Sequence, residues 1–217
     1  MLPKLVAEFV GTFFLVLTIG LTSLVGTDFA PIAIGTVLTA MVYMAGHVSG
    51  AQFNPAVTLA VWLRGGMPAR ETGPYVVAQV LAAALAAFAA FGVTGDVLVV
   101  APAAETSLAS FALLEFLFTF ALALVILNVA TARGMEGSPA YGVAIGFVVL
   151  AGAYAAGPIS GGAFNPAVAV GPILVDLAVG EGLSVSGLWV YVLATCAGAA
   201  LAVPVFWMMT PGDRPAR

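Results

Sequence analysis

Charge is what this sequence has least of. Only 7% of its 217 residues are Asp, Glu, Lys or Arg, against roughly 25% in a soluble domain, which excludes an ordinary solvated surface. Cysteine and histidine occur once each, as Cys196 and His47, so neither a disulfide framework nor a Cys/His metal cluster can be built. Cys196 lies inside the last apolar run and reads as a small packing residue. There is no H-E-x-x-H pair and no cofactor motif, and His47 has no evident nucleophile beside it, so an intramembrane enzyme is the least favoured class and no cofactor is expected. The net charge of −4 gives no sign of a nucleic-acid partner, and none is expected.

Apolar residues fill the space left by charge. They make up 62% of the chain, with a mean hydropathy of +1.15, and they come in long runs. A bilayer core of about 30 Å takes roughly 20 helical residues. Runs near 5–26, 30–46, 73–93, 108–131, 139–157 and 184–209 meet that length, which predicts six spanning helices. The first run is longer than a signal peptide's apolar core of roughly 7–15 residues, and no small-residue cleavage site follows it. It is therefore read as a span. Two shorter apolar stretches, about 54–63 and 165–175, cannot cross.

The cations set the orientation. With six spans and the N-terminus inside, Lys4, Arg64, Arg70, Arg133, Arg214 and Arg217 all fall on the cytoplasmic side, while Asp28, Asp96, Glu105, Asp176 and Glu181 fall outside. The short stretch near residue 54 then dips in from the cytoplasm, and that near residue 165 from outside.

Both short stretches open with nearly the same letters, S-G-A-Q-F-N-P-A-V at 49–57 and S-G-G-A-F-N-P-A-V at 160–168. The duplication extends further. A-E-F-V-G-T-F-F-L-V-L from Ala7 resembles L-E-F-L-F-T-F-A-L-A-L from Leu114, Ala33-Ile34-Gly35 resembles Ala144-Ile145-Gly146, and Tyr75-Val-Val-Ala weakly resembles Tyr191-Val-Leu-Ala. Each half holds three spans, an odd number, so the second lies upside down relative to the first. The expected organisation is one domain over 1–217 made of inverted repeats, about 1–95 and 108–209. Matched short segments broken by Gly and Pro in inverted halves point to a transport site near the midplane, where irregular backbone survives only if buried or lining a cavity.

In each motif Asn suits a helix N-cap and Pro the first helical position, so half-helices are predicted to start at Asn54-Pro55-Ala56 and Asn165-Pro166-Ala167. Their N-termini would bring about half a positive charge each to the midplane. Each Asn oxygen can cap its own first turn, leaving the NH₂ free to donate. Gly50, Gly161 and Gly162 permit strained backbone whose carbonyls turn inward. Donors at the centre and carbonyls along the path suit small neutral solutes.

These motifs, across essentially the whole chain, resemble those of the aquaporin, or major intrinsic protein, family. The resemblance implies an all-α integral membrane fold, a right-handed bundle of six helices plus two re-entrant half-helices, with one pore per subunit and a homotetramer in the lipid bilayer. It implies Asn54 and Asn165 as central donors, and pore-lining carbonyls from Gly50, Ala51, Gln52 and Phe53 and from Gly161, Gly162, Ala163 and Phe164. As is known of aquaporin-type pores, half-helix dipoles or an Arg exclude protons and cations. Much of the family has that Arg after the second Asn-Pro-Ala. Here the position is Val168, and the other three constriction positions, counted without gaps from the asparagines, are Ile34, Ala153 and Gly162. The acid that often follows the Arg in glycerol facilitators is replaced by Ala169. Some plant vacuolar members also carry Val at this position and pass urea, ammonia or peroxide besides water.

The resulting expectation is a passive channel for water and small neutral solutes, with glycerol, urea, ammonia or peroxide passing a wide apolar filter. A water-only pore is the alternative. Glu8 and Glu115 are acids inside spans, which makes them functional candidates by default. They read either as proton-coupling groups of a secondary transporter or as acceptors for the N–H groups of the re-entrant loops, the role the family implies. A structural or adhesion role would show as negligible flux. His47 reads either as lining the cytoplasmic pore mouth or as packing. The basic inner side and the lack of an organelle-targeting signal suggest a plasma or inner membrane with both termini cytoplasmic.

Overall fold

A computed structural model describes residues 1–135 and 138–214; Arg217 lies outside the described residues. Among the described residues eight α-helices follow in chain order: α1 Leu2–Val25, α2 Ala30–Ser49, α3 Pro55–Leu63, α4 Ala69–Thr94, α5 Leu108–Thr131, α6 Tyr141–Ser160, α7 Pro166–Val179 and α8 Leu188–Met209. All except α3 and α7 are long and apolar enough to cross a membrane. The fold is the all-helical one expected, and the boundaries move by only a few residues. Helix α4 starts at Ala69 rather than near 73, because Arg70 and Glu71 interrupt the apolar run without interrupting the helix. Glu71 instead receives the Lys4 ammonium at 2.9 Å, tying the starts of α4 and α1 together. Helix α7 runs to Val179 rather than 175, past Pro172 and Asp176.

The repeat is visible in the packing. Helix α1 lies against α4 as α5 lies against α8, and α2 meets α6 across the centre. The half-helices cross over: α3 of the first half packs on α8, and α7 of the second packs on α4. The α2/α6 contact explains the repeated Ala-Ile-Gly. A Cβ at Gly35 would stand 2.8 Å from the Gly146 carbonyl oxygen, and one at Gly146 would overlap Gly35 and Thr39. Helices in lipid gain little from burying apolar surface against each other, so small residues that allow close approach hold them instead. The same device seats α7, where a Cβ on Gly171 would lie 2.5 Å from the Ala83 carbonyl carbon.

The five described cations of the predicted inner side, Lys4, Arg64, Arg70, Arg133 and Arg214, sit at helix ends or connections that share one end of the bundle. The Arg64 guanidinium donates to the Thr131 carbonyl at the end of α5 and lies over the Phe206 ring. Arg133 reaches Asp213 beyond α8.

Candidate functional site

Helix α2 ends at Gly50 with φ 87°, and α6 at Gly161 with φ 88°, left-handed positions that glycine occupies without a Cβ clash. The chain then stays unusual. Ala51 (φ 48°), Phe53 (φ 50°), Gly162 (φ 63°) and Phe164 (φ 49°) are also left-handed, and three of these carry side chains for which the region is costly. Such strain persists only where the surroundings hold it.

The two buried glutamates do the holding. Glu8, fully buried, accepts from Ser49 Oγ (2.6 Å) and the Gln52 N–H (3.0 Å) on Oε1, and from the Phe53 N–H (2.7 Å) and Gln79 Nε2 (2.8 Å) on Oε2. Glu115, equally buried, accepts from Ser160 Oγ (2.7 Å) and the Ala163 N–H (3.1 Å) on Oε1, and from the Phe164 N–H (2.7 Å) on Oε2. Tyr75 donates to the Ser49 carbonyl at 2.9 Å and Tyr191 to the Ser160 carbonyl at 2.6 Å, satisfying the carbonyls at the ends of α2 and α6 that helices leave unpaired.

The asparagines cap the half-helices. Asn54 Oδ1 accepts from the N–H of Ala56 (2.9 Å) and Val57 (3.4 Å), and Asn165 Oδ1 from that of Ala167 (2.9 Å). Pro55 and Pro166 take the first helical positions. Each NH₂, left free to donate, does so across the centre. Asn54 Nδ2 donates to the Phe164 carbonyl and Asn165 Nδ2 to the Phe53 carbonyl, both at 2.9 Å. Each carboxamide thus spends one N–H on the opposite half and keeps one. The Phe53 and Phe164 carbonyls, expected among the pore-lining carbonyls, bolt the two halves together.

Both asparagines line a cavity of about 240 Å³. Ala51, Gln52, Phe53, Gly161, Gly162, Ala163 and Phe164 share its wall, as do Ile34, Ala153, Gly162 and Val168, and none of its lining side chains is charged. Gly50 is not among them. It fronts a second cavity, of about 680 Å³, with Tyr43, Tyr141 and an exposed His47. Neither cavity is lined by Glu8 or Glu115. Among the described residues no group of three or more His, Cys, Asp or Glu side chains could hold a metal ion.

Several residues here were not singled out from sequence. Ser49 and Ser160 were quoted only as letters of the motif, and the Tyr75/Tyr191 match was noted without a role. Gln79 stood unremarked in an apolar run. Asp176, counted as an exterior acid, is 1% exposed and binds the loop after α7 through the Gly182 and Ser184 N–H groups (3.0 Å each) and Ser184 Oγ (2.6 Å).

Comparison with known proteins agrees with this geometry. Residues 1–206 match the sequence model of the family described as Major intrinsic protein. Nodulin-26 of Glycine max is 39% identical over 226 residues, covering 99% of this chain and 80% of that protein. Aquaporin NIP1-2 of Arabidopsis thaliana is 36% identical over 234 residues, covering 100% and 77%. The X-ray structure of the aquaglyceroporin from Plasmodium falciparum matches with a TM-score of 0.86 over 98% of both chains, and its 20% identity makes this a likeness of fold.

Proposed function

The chain belongs to the major intrinsic protein family, a multi-pass channel for water and small neutral solutes and not an enzyme, and we propose that its path runs between Asn54 and Asn165. The observation that carries this is the crossed pair of asparagine bonds to Phe164 and Phe53. It fixes both carboxamides beside one uncharged cavity with one N–H each to spare. A solute oxygen accepting from those two N–H groups must point its own hydrogens away, which interrupts a proton wire. The two half-helix N-termini add positive potential at the same place and oppose cations.

Ile34, Ala153, Gly162 and Val168 form the outer filter in this reading, with the backbone carbonyls of Ala51, Gln52, Gly161, Gly162 and Ala163 as acceptors along the path. Their lack of charge and the small size of Ala153 and Gly162 favour a permissive filter over a water-only one. Glu8 and Glu115 are loop anchors. Their acceptor sites are filled by loop N–H groups, serines and Gln79, which supports this role over proton coupling. His47 stands at the inner mouth. The cations at one end of the bundle support cytoplasmic termini; a plasma or inner membrane location and a homotetramer are the assembly we propose.

Proteoliposome flux tests this directly. Osmotic shrinkage should be fast, and glycerol and urea should reswell the vesicles. Val168→Arg, which adds a charged side chain to the filter, should lower glycerol and urea permeability about tenfold or more and change water permeability far less. Water flux without any solute entry in the parent protein would establish the water-only alternative. Unchanged solute entry in Val168→Arg would remove Val168 from the filter.

A further inference from the structure

The two asparagines stand in matched places, yet only one has polar ties on both sides of it. Gln79, on α4 and fully buried, uses its one NH₂ group twice. It donates to Glu8 Oε2 at 2.8 Å and to Thr58 Oγ1 at 3.0 Å. Glu8 holds the loop upstream of Asn54 through the Gln52 and Phe53 N–H groups. Thr58 lies downstream, in the first turn of α3, and its N–H bonds the Asn54 carbonyl at 2.9 Å. One amide on a neighbouring helix therefore ties the segments entering and leaving Asn54.

Among the described residues the second half has no such tie. The residue matching Thr58 is Ala169, which has no polar side chain. The residue matching Gln79, on the offset that pairs Tyr75 with Tyr191, is Thr195. Its hydroxyl turns back to the Tyr191 carbonyl of its own helix. Glu115 still anchors the loop before Asn165, but beyond Asn165 the half-helix is located by packing, with Ala167, Val168 and Ala169 in an apolar cluster and Gly171 pressed on Ala83.

We propose that Gln79 is a positioning residue for conduction, setting the place of the Asn54 carboxamide and thereby the geometry of the central donor pair. Because Asn54 and Asn165 bond each other's half crosswise, an error in Asn54 is passed to both donors. The proposal rests on the asparagine path described above. A residue that merely stabilised the fold would change how much channel is made; a positioning residue changes what each folded channel passes.

The test is a permeability ratio per folded channel in proteoliposomes, glycerol over water, for Gln79→Leu and for its repeat partner Thr195→Val. Gln79→Leu should lower water permeability at least threefold and shift the ratio at least twofold, while Thr195→Val should leave both within experimental scatter. Parent values of both in Gln79→Leu, or equal shifts in both variants, would overturn the proposal. If Gln79→Leu fails to fold, the near-isosteric Thr58→Val, which cuts only the downstream tie, decides. A shifted ratio supports the proposal, and an unchanged ratio overturns it. The channel reading is judged separately by the parent protein, whose failure to conduct in the same vesicles would sink that reading whatever Gln79 does.

Discussion

The Asn54 half and the Asn165 half solve one problem with different parts. Both must hold a strained loop and the start of a half-helix beside one cavity. The first uses polar ties: four donors on Glu8, with Gln79 reaching on to Thr58. The second uses three donors on Glu115 and close packing of small residues. The aromatic residues differ as well. Phe53 lies over Gly11, where any Cβ would overlap its ring, whereas Phe164 packs on Phe118, the residue matching Gly11, at 5.3 Å between ring centres. An inverted repeat thus preserves what each half must present, a strained loop and one Asn-capped half-helix, and leaves free how each half is held.

The largest test of this difference sits on the two glutamates. In Glu→Gln one carboxylate oxygen becomes an NH₂, and an N–H aimed at that oxygen is orphaned, while a hydroxyl can turn to accept from it. At Glu8 each oxygen receives two donors, so the NH₂ of Glu8→Gln always meets two: at Oε1 it orphans the Gln52 N–H and makes the Ser49 hydroxyl turn to accept, and at Oε2 it orphans the Phe53 N–H and opposes the Gln79 NH₂. At Glu115 the amide can place its NH₂ at Oε2, where only the Phe164 N–H is lost. A buried unsatisfied donor costs about 1–3 kcal/mol. Both variants should melt earlier in detergent, and Glu8→Gln, which disturbs two donors where Glu115→Gln disturbs one, should be the less stable. Equal melting losses would mean that the extra donors on Glu8 contribute nothing.

A second, smaller test exploits the mismatch between Ala51 and Gly162, which share a left-handed backbone. Gly162→Ala places a Cβ in that region and 2.9 Å from Gly157 Cα, a backbone atom that cannot swing away. The cost should be about 1–3 kcal/mol, with glycerol flux falling more than water flux because the methyl narrows the cavity wall. Ala51→Gly should act in the opposite direction, stabilising by about 0.5–1 kcal/mol through relief of the left-handed strain. Thermal melts of the pair would break the comparison if both shifted the same way.

What the sequence made legible follows from what kind of information each feature carries. The spans, the half-helices and the glutamates stood out because hydropathy and repeated letters record them directly. The bonds from Asn54 and Asn165 to opposite carbonyls did not, since the acceptors are backbone groups of Phe164 and Phe53 and leave no trace in residue type. Gln79 was hidden for another reason. It breaks the repeat rather than obeying it, so a search for matched letters passes over it, as it does over Thr58 opposite Ala169. Asp176 shows another limit, because position places it on the outer side but only the loop that folds back over it reveals its burial.

The smallest effect should come from the far ends of the half-helices, where the two halves use opposite charge. Helix α3 closes on Arg64, a cation well suited to a helix C-terminus, which also caps α5 through the Thr131 carbonyl. Helix α7 carries Asp176 in its last turn, where the helix dipole disfavours an anion. Burial alone would raise the Asp176 pKa, but hydrogen bonds from Ser184 and from the loop N–H groups outweigh it and hold the carboxyl below its ordinary range. A folded-state pKa below the unfolded one means that the group's contribution is complete above the unfolded value, near 3.9, and is lost as pH falls through the folded value. Acid should therefore loosen the loop over 180–187 before it loosens the turn at Arg64, whose guanidinium keeps its charge throughout. Hydrogen exchange, corrected for intrinsic rates and compared at pH 7 and pH 3, should show protection falling at Gly182 and Ser184 and holding at Gly65 and Gly66. In Asp176→Asn the loop should be less protected at pH 7 and should lose its extra sensitivity to acid. Equal loosening of both turns in the parent protein would show that opposite charge at the two ends has no consequence for how the halves respond to pH.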